Sequence, residues 1–151
     1  LEYTALEEKA AVAAAEYHAL ADQIKKTEKR LSEISALKTH IINYAKTREI
    51  YIAYRKAGYA KKFLAQHESD ILLHKAAKKA FDEMGIQKLP TVKSLQDEYA
   101  KTLQEKKKTY AAYRHAREEM RELMMVKTNV DQMLEKGKQQ TDKDKTNKHK
   151  I

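Results

Sequence analysis

Apolar and small residues recur at alternating steps of four and three through the first third of the chain. Leu6, Ala10, Ala13, Tyr17, Leu20, Ile24, Thr27, Leu31, Ile34, Lys38, Ile41 and Ala45 follow one heptad seam, separated mainly by Glu, Lys, Asp, Gln and Arg. That spacing turns a single stripe toward a partner helix. Ile42, Ile50, Tyr51 and Tyr54 widen the stripe, and no glycine or proline interrupts before Gly58. The pattern predicts one long helix over residues 1–57.

The last third repeats the spacing. Val92, Leu95, Tyr99, Thr102, Lys106, Thr109, Tyr113, Ala116, Met120, Leu123, Lys127, Val130 and Leu134 form a second seam, with Leu103, Tyr110 and Met124 beside it. Thr91 follows the only proline, Pro90, and is the expected N-cap. Gly137 is the expected stop, which predicts a second long helix over 91–136. Residues 137–151 lack an apolar period and read as a disordered basic tail.

Residues 58–90 read as a helical tip and connection. Residues 59–66 continue the first helix after a bend at Gly58. A separate amphipathic helix, capped by Ser69 and ended by Gly85, covers Ser69–Met84 with Ile71, Leu72, Ala76, Ala80 and Phe81 on its apolar face. Two striped helices in one chain bury their seams most simply against each other. The expected fold is all-α, an elongated antiparallel coiled-coil hairpin with one or two short helices at the tip. Pairing around that tip puts Ile34 beside Tyr113 and Ile24 beside Leu123 and Met124. It also puts Tyr17 beside Val130 and Asp131. Intermolecular pairing into a homo-oligomer is the alternative.

Composition narrows the chemistry. Three glycines, no cysteine and no tryptophan, with 35% charged residues, suit a helical seam and exclude disulfides and thiolate metal sites. No apolar run reaches the roughly 20 residues that span a bilayer, and no signal peptide opens the chain. These traits suit a cytoplasmic protein without membrane insertion. Because a helical pattern is already running at Leu1, the chain reads as a piece of something longer.

No phosphate-binding glycine loop or nucleophile elbow occurs. Among the six histidines no two lie three or four apart, so no helical metal pair exists. His67 and His74 lie two turns apart near Glu68 and Asp70 and read as a solvated face rather than a metal site. Carboxylates such as Glu7, Glu8, Glu118 and Glu119 alternate with bases as surface ion pairs. No catalytic residue, metal or cofactor is expected.

The net charge of +9 is uneven. Residues 55–79 hold seven basic residues against two acidic ones, and 136–151 hold six against two. The tip mixes those bases with aromatic rings, the parts of a single-strand binding surface. The candidate nucleic-acid residues are Tyr51, Arg55, Lys56, Tyr59, Lys61, Lys62, Lys75, Lys78 and Lys79. A second mixed stretch, Lys106–Arg117, has Tyr113 in register and reads as seam.

One stretch resembles a known family. Ala76-Ala77-Lys78-Lys79-Ala80-Phe81-Asp82, Lys88-Leu89-Pro90-Thr91, Leu95-Gln96-Asp97-Glu98-Tyr99, Tyr110-Ala111-Ala112-Tyr113-Arg114-His115-Ala116-Arg117 and Lys127-Thr128-Asn129-Val130-Asp131 carry the likeness. From residue 63 onward the chain is similar to the C-terminal region of relaxases, the mobilisation nucleases of conjugative transposons from Gram-positive gut bacteria. The family's catalytic domain uses a tyrosine nucleophile and a metal-binding histidine cluster, and neither pattern occurs here. The resemblance therefore implies a non-catalytic accessory region that supports DNA or transfer-protein binding during mobilisation. The competing expectation is a coiled-coil spacer or oligomerisation module with no nucleic-acid role.

Overall fold

A computed structural model describes residues 2–149, with side chains described through 139. It contains four helices, α1 (Tyr3–Lys56), α2 (Lys61–Gln66), α3 (Glu68–Glu83) and α4 (Val92–His149), and no strand among the described residues. No described helix is long and apolar enough to cross a membrane. The chain is an all-α helical hairpin in which α1 and α4 pair. It divides into two compact units, Leu1–Lys25 with Lys106–Ile151, and Lys26–Glu105.

The first unit is a two-helix seam. Leu6, Ala10 and Ala13 of α1 are buried, as is Ala116 of α4. All four belong to the heptad stripes. Tyr17 and Tyr113 stack with ring centroids 5.1 Å apart, and their hydroxyls lie 3.2 Å apart. That hydroxyl contact and desolvation raise the Tyr17 phenol above its ordinary pKa. Tyr3 donates to the Asp131 carboxylate, which pushes its pKa up to about 12.

The second unit has a three-helix core. Ile34, Leu37 and Ile41 of α1, Ala77 and Phe81 of α3, and Leu95 of α4 form one buried cluster. Fully burying one such aliphatic side chain contributes roughly 1.5–3 kcal/mol. At its rim Arg30 Nε donates to Glu98 Oε1 across 2.7 Å, holding that carboxyl below its usual range.

Three local signals behave as the sequence predicts. The Thr91 hydroxyl accepts from the Ser94 backbone N–H at 3.0 Å, capping α4. α1 ends in a left-handed glycine, Gly58 (φ +67°), with Gly58 N–H donating to Arg55 C=O and Tyr59 N–H to Tyr54 C=O. α3 ends the same way at Gly85 (φ +69°), with Ile86 N–H donating to Phe81 C=O. This paired pattern satisfies the last carbonyls of a helix and needs a residue that tolerates positive φ.

Three expectations need correction. Ser69 does not cap α3; the helix begins at Glu68, and His67 occupies the cap without a side-chain hydrogen bond. Gly137 does not end α4, which runs on to His149. A helix-interior glycine costs only about 1 kcal/mol, and Glu135, Lys136, Lys138 and Gln139 around it are good helix formers. A disordered tail over 137–151 is thus not what 137–149 show; Lys150 and Ile151 lie outside the described residues.

The third correction is the register. Tyr113 meets Tyr17 rather than Ile34. Leu123 shares a groove with Val12 and Glu16 rather than pairing with Ile24, and Leu95 is the α4 residue packed with Ile34. The cause is α3. Its Phe81 and His74 pack on Tyr44 and Tyr51, and its Lys75 on Tyr54, covering the C-terminal stretch of α1. α4 therefore begins well before that end of α1.

Candidate nucleic-acid interface

The basic surface lies where α1, α2 and α3 meet. Arg55 and Lys56 form the last turn of α1. The glycine stop at Gly58 then turns the chain so that Lys61 and Lys62 open α2. Lys75, Lys78 and Lys79 stand three and four apart on α3 and so share one helical face. All seven are exposed. Among the described residues one ion pair touches this set, Lys79 with Glu83 at 4.0 Å, and both partners are largely exposed.

Aromatic rings knit the junction. Tyr54 is buried, stacks with Phe63 at 6.0 Å and meets Tyr59 edge-on at 5.2 Å. Lys75 Nζ lies 5.7 Å from the Tyr54 ring centroid, so an α3 base adjoins the aromatic cluster. Tyr59 itself is 55% exposed and holds a left-handed backbone, φ +59°. A non-glycine residue there is uncommon. The edge contact with Tyr54 is the hydrophobic clasp that accompanies such a helix stop. It leaves much of the Tyr59 ring at the surface beside Lys61 and Lys62.

Tyr51 is half-buried at the junction. Its ring stacks on His74 at 4.5 Å and packs against Tyr54 at 6.1 Å. The stack occupies one face of the ring. His74 departs from the sequence reading, because it is only 4% exposed rather than on a solvated face. It lies between Tyr44 and Tyr51, 4.5 Å from each ring centroid, in a three-ring stack. Its Nδ1 lies 2.9 Å from Thr47 Oγ1, and that hydroxyl donates to Asn43 C=O at 2.7 Å. Burial lowers the His74 pKa, Lys78 adds to the lowering, and the Tyr44 backbone opposes it. The sequence signal existed: Tyr44, Thr47 and Tyr51 lie three and four apart on one face. His67 packs at 4.6 Å against Phe63 instead of facing a metal. No cluster of His, Cys, Asp or Glu suited to a metal occurs among the described residues.

The second mixed stretch is seam, as its register predicts. Tyr113 pairs with Tyr17, while Arg117 and Arg114 cover the Tyr113 and Tyr110 rings at 5.9 and 6.0 Å. The arrangement at the tip can hold anionic groups by charge and present one flat ring. Comparison with protein-family models, characterised proteins and solved structures gave no match.

Proposed function

We propose that this chain is a non-catalytic nucleic-acid-binding region that grips the phosphate backbone at the α1–α2–α3 junction. In keeping with the sequence resemblance, it serves as the accessory C-terminal part of a conjugative relaxase, acting in the cytoplasm beside other mobilisation proteins. The observation that supports the reading is the exposed basic set with so little acidic compensation. Arg55, Lys56, Lys61, Lys62, Lys75 and Lys78 show no ion pair among the described residues, and the exposed Tyr59 ring follows Arg55 and Lys56 and precedes Lys61 and Lys62 in the chain. Exposed charges of this kind bind phosphates by releasing condensed counterions, so affinity falls steeply with salt and reads little sequence.

Fluorescence anisotropy with labelled single-stranded and duplex DNA at two salt concentrations tests it. Replacing Arg55, Lys56, Lys61 and Lys62 with Gln lowers the salt slope by roughly 0.9 per lost duplex contact. Replacing Lys107 and Lys108 changes it less, because Glu105 lies close in sequence. Absence of binding at low salt would sink the proposal and leave the coiled-coil spacer or oligomerisation module as the better account.

A further inference from the structure

The first unit carries a groove that the basic tip does not explain. It lies between α1 and α4, has a volume of about 700 Å³, and runs along α1 from Ala5 to Glu16. Its apolar floor includes Val12, Leu123 and Val126. Val12 is 67% exposed and Val126 is 46% exposed, although both are β-branched aliphatics on a seam-forming pair of helices. A two-helix seam has no third element to cover such side chains, whereas the second unit has α3.

The rim of this groove is acidic. Glu8 and Glu16 stand on the α1 side, Glu119 and Glu122 on the α4 side, and Lys9 is the only base among the lining residues. In the same unit Glu118 is compensated by Arg121 at i+3. None of the four rim glutamates has Lys or Arg three or four positions away in its own helix. Glu119 and Glu122 are themselves like charges at i,i+3, and no ion pair holds any of the four among the described residues. A chain of net charge +9 thus keeps an uncompensated negative rim around exposed valines.

We propose that this groove is the docking site for a basic amphipathic helix of another protein. Such a helix lays its i, i+3, i+4, i+7 apolar stripe on Val12, Leu123 and Val126 and points its flanking Lys or Arg at the four glutamates. The stretch from Ala5 to Glu16 is three helical turns, about 16 Å, which matches a short helical ligand. A second copy of this chain docking by the same face is disfavoured, because it would set the four glutamates against their own counterparts. The chain carries a net charge of +9, so attraction of a cationic peptide here is local.

The probe is a labelled 18-residue peptide with Leu at the stripe positions and Lys elsewhere. Two companions accompany it, one with Glu in place of Lys and one with the same composition scrambled to destroy the stripe. The expected result is saturable binding of the striped Lys peptide alone, weakened by salt. Val12→Lys, at a largely exposed helical position that tolerates it, weakens binding by about tenfold or more. Glu119→Gln with Glu122→Gln weakens it severalfold, while the tip substitutions at Arg55 and Lys56 leave it unchanged. Circular dichroism checks that each variant stays helical. Equal binding by Val12→Lys, by the Glu peptide or by the scrambled peptide overturns the proposal, as does no binding. Sedimentation showing a dimer that Val12→Lys dissolves would assign the groove to a second copy instead and also overturn it.

Discussion

His74 is the most demanding test of how the second unit is held together. Replacing it with Ala removes the middle ring of the Tyr44–His74–Tyr51 stack and the hydrogen bond to Thr47. Each aromatic pair contributes about 0.5–1.5 kcal/mol beyond its buried area. The hydrogen bond adds a net 0.5–1.5 kcal/mol, roughly. Two pairs and the bond sum to about 1.5–4.5 kcal/mol, and the emptied volume adds a cavity cost. Against a typical domain stability of about 5–15 kcal/mol that is a large share. Thr47→Val keeps the shape but removes the hydroxyl partner of the buried Nδ1, which costs about 1–3 kcal/mol. Urea unfolding followed by circular dichroism measures both. His74→Phe separates packing from titration, since it keeps a ring in the stack and cannot be protonated. In the unfolded chain the imidazole titrates near 6.5, roughly, and in the folded chain lower, because burial disfavours the charged form. Between those two values the unfolded state holds more protons, so stability rises with pH. The contribution is complete above the unfolded value and is lost as pH falls toward the folded one, with a slope of at most about 1.4 kcal/mol per pH unit. The wild-type minus His74→Phe difference should show that slope. A His74→Ala cost below about 1 kcal/mol, or a pH-independent difference, would refute the account.

Other consequences follow from the same geometry. Ile71→Ala, at a fully buried position, should lower unfolding stability by about 2–5 kcal/mol. Arg30→Ala should cost no more than about 1 kcal/mol in the same assay, because its pair with Glu98 is partly exposed. Gly58→Ala should destabilise by about 1–2 kcal/mol through backbone conformation alone, since nothing lies within 4 Å of a Cβ placed there. Cysteines introduced at Tyr17 and Tyr113 should crosslink within one chain on oxidation, judged by gel mobility, whereas a pair at Ile24 and Leu123 should not. The reverse outcome would restore the register read from the sequence. Tyr59→Ala should weaken single-stranded DNA binding by about 1–3 kcal/mol and duplex binding much less; equal losses on both would assign the ring to the fold alone.

The sequence by itself determined the two long helices and the buried stripe of the first. Leu6, Ala10, Ala13, Ile24, Leu31, Ile34 and Ile41 all lie on the stripe read from heptad spacing, and all are buried. The Thr91 cap and the stops at Gly58 and Gly85 were equally legible, because caps and left-handed turns depend on a few adjacent residues. The basic, exposed character of Arg55, Lys56, Lys61 and Lys62 could be read too, since nothing nearby in sequence neutralises them. What only the tertiary structure decided was partnership. A heptad seam is periodic, so several slides of α4 along α1 set apolar against apolar, and the pattern cannot choose among registers. α3 makes the choice by occupying the Tyr44–Tyr54 stretch of α1, which sets where α4 begins. The same packing takes His74 out of solvent and stacks Tyr51 on it, because a ring's neighbours across two helices are fixed by that docking rather than by spacing along either one.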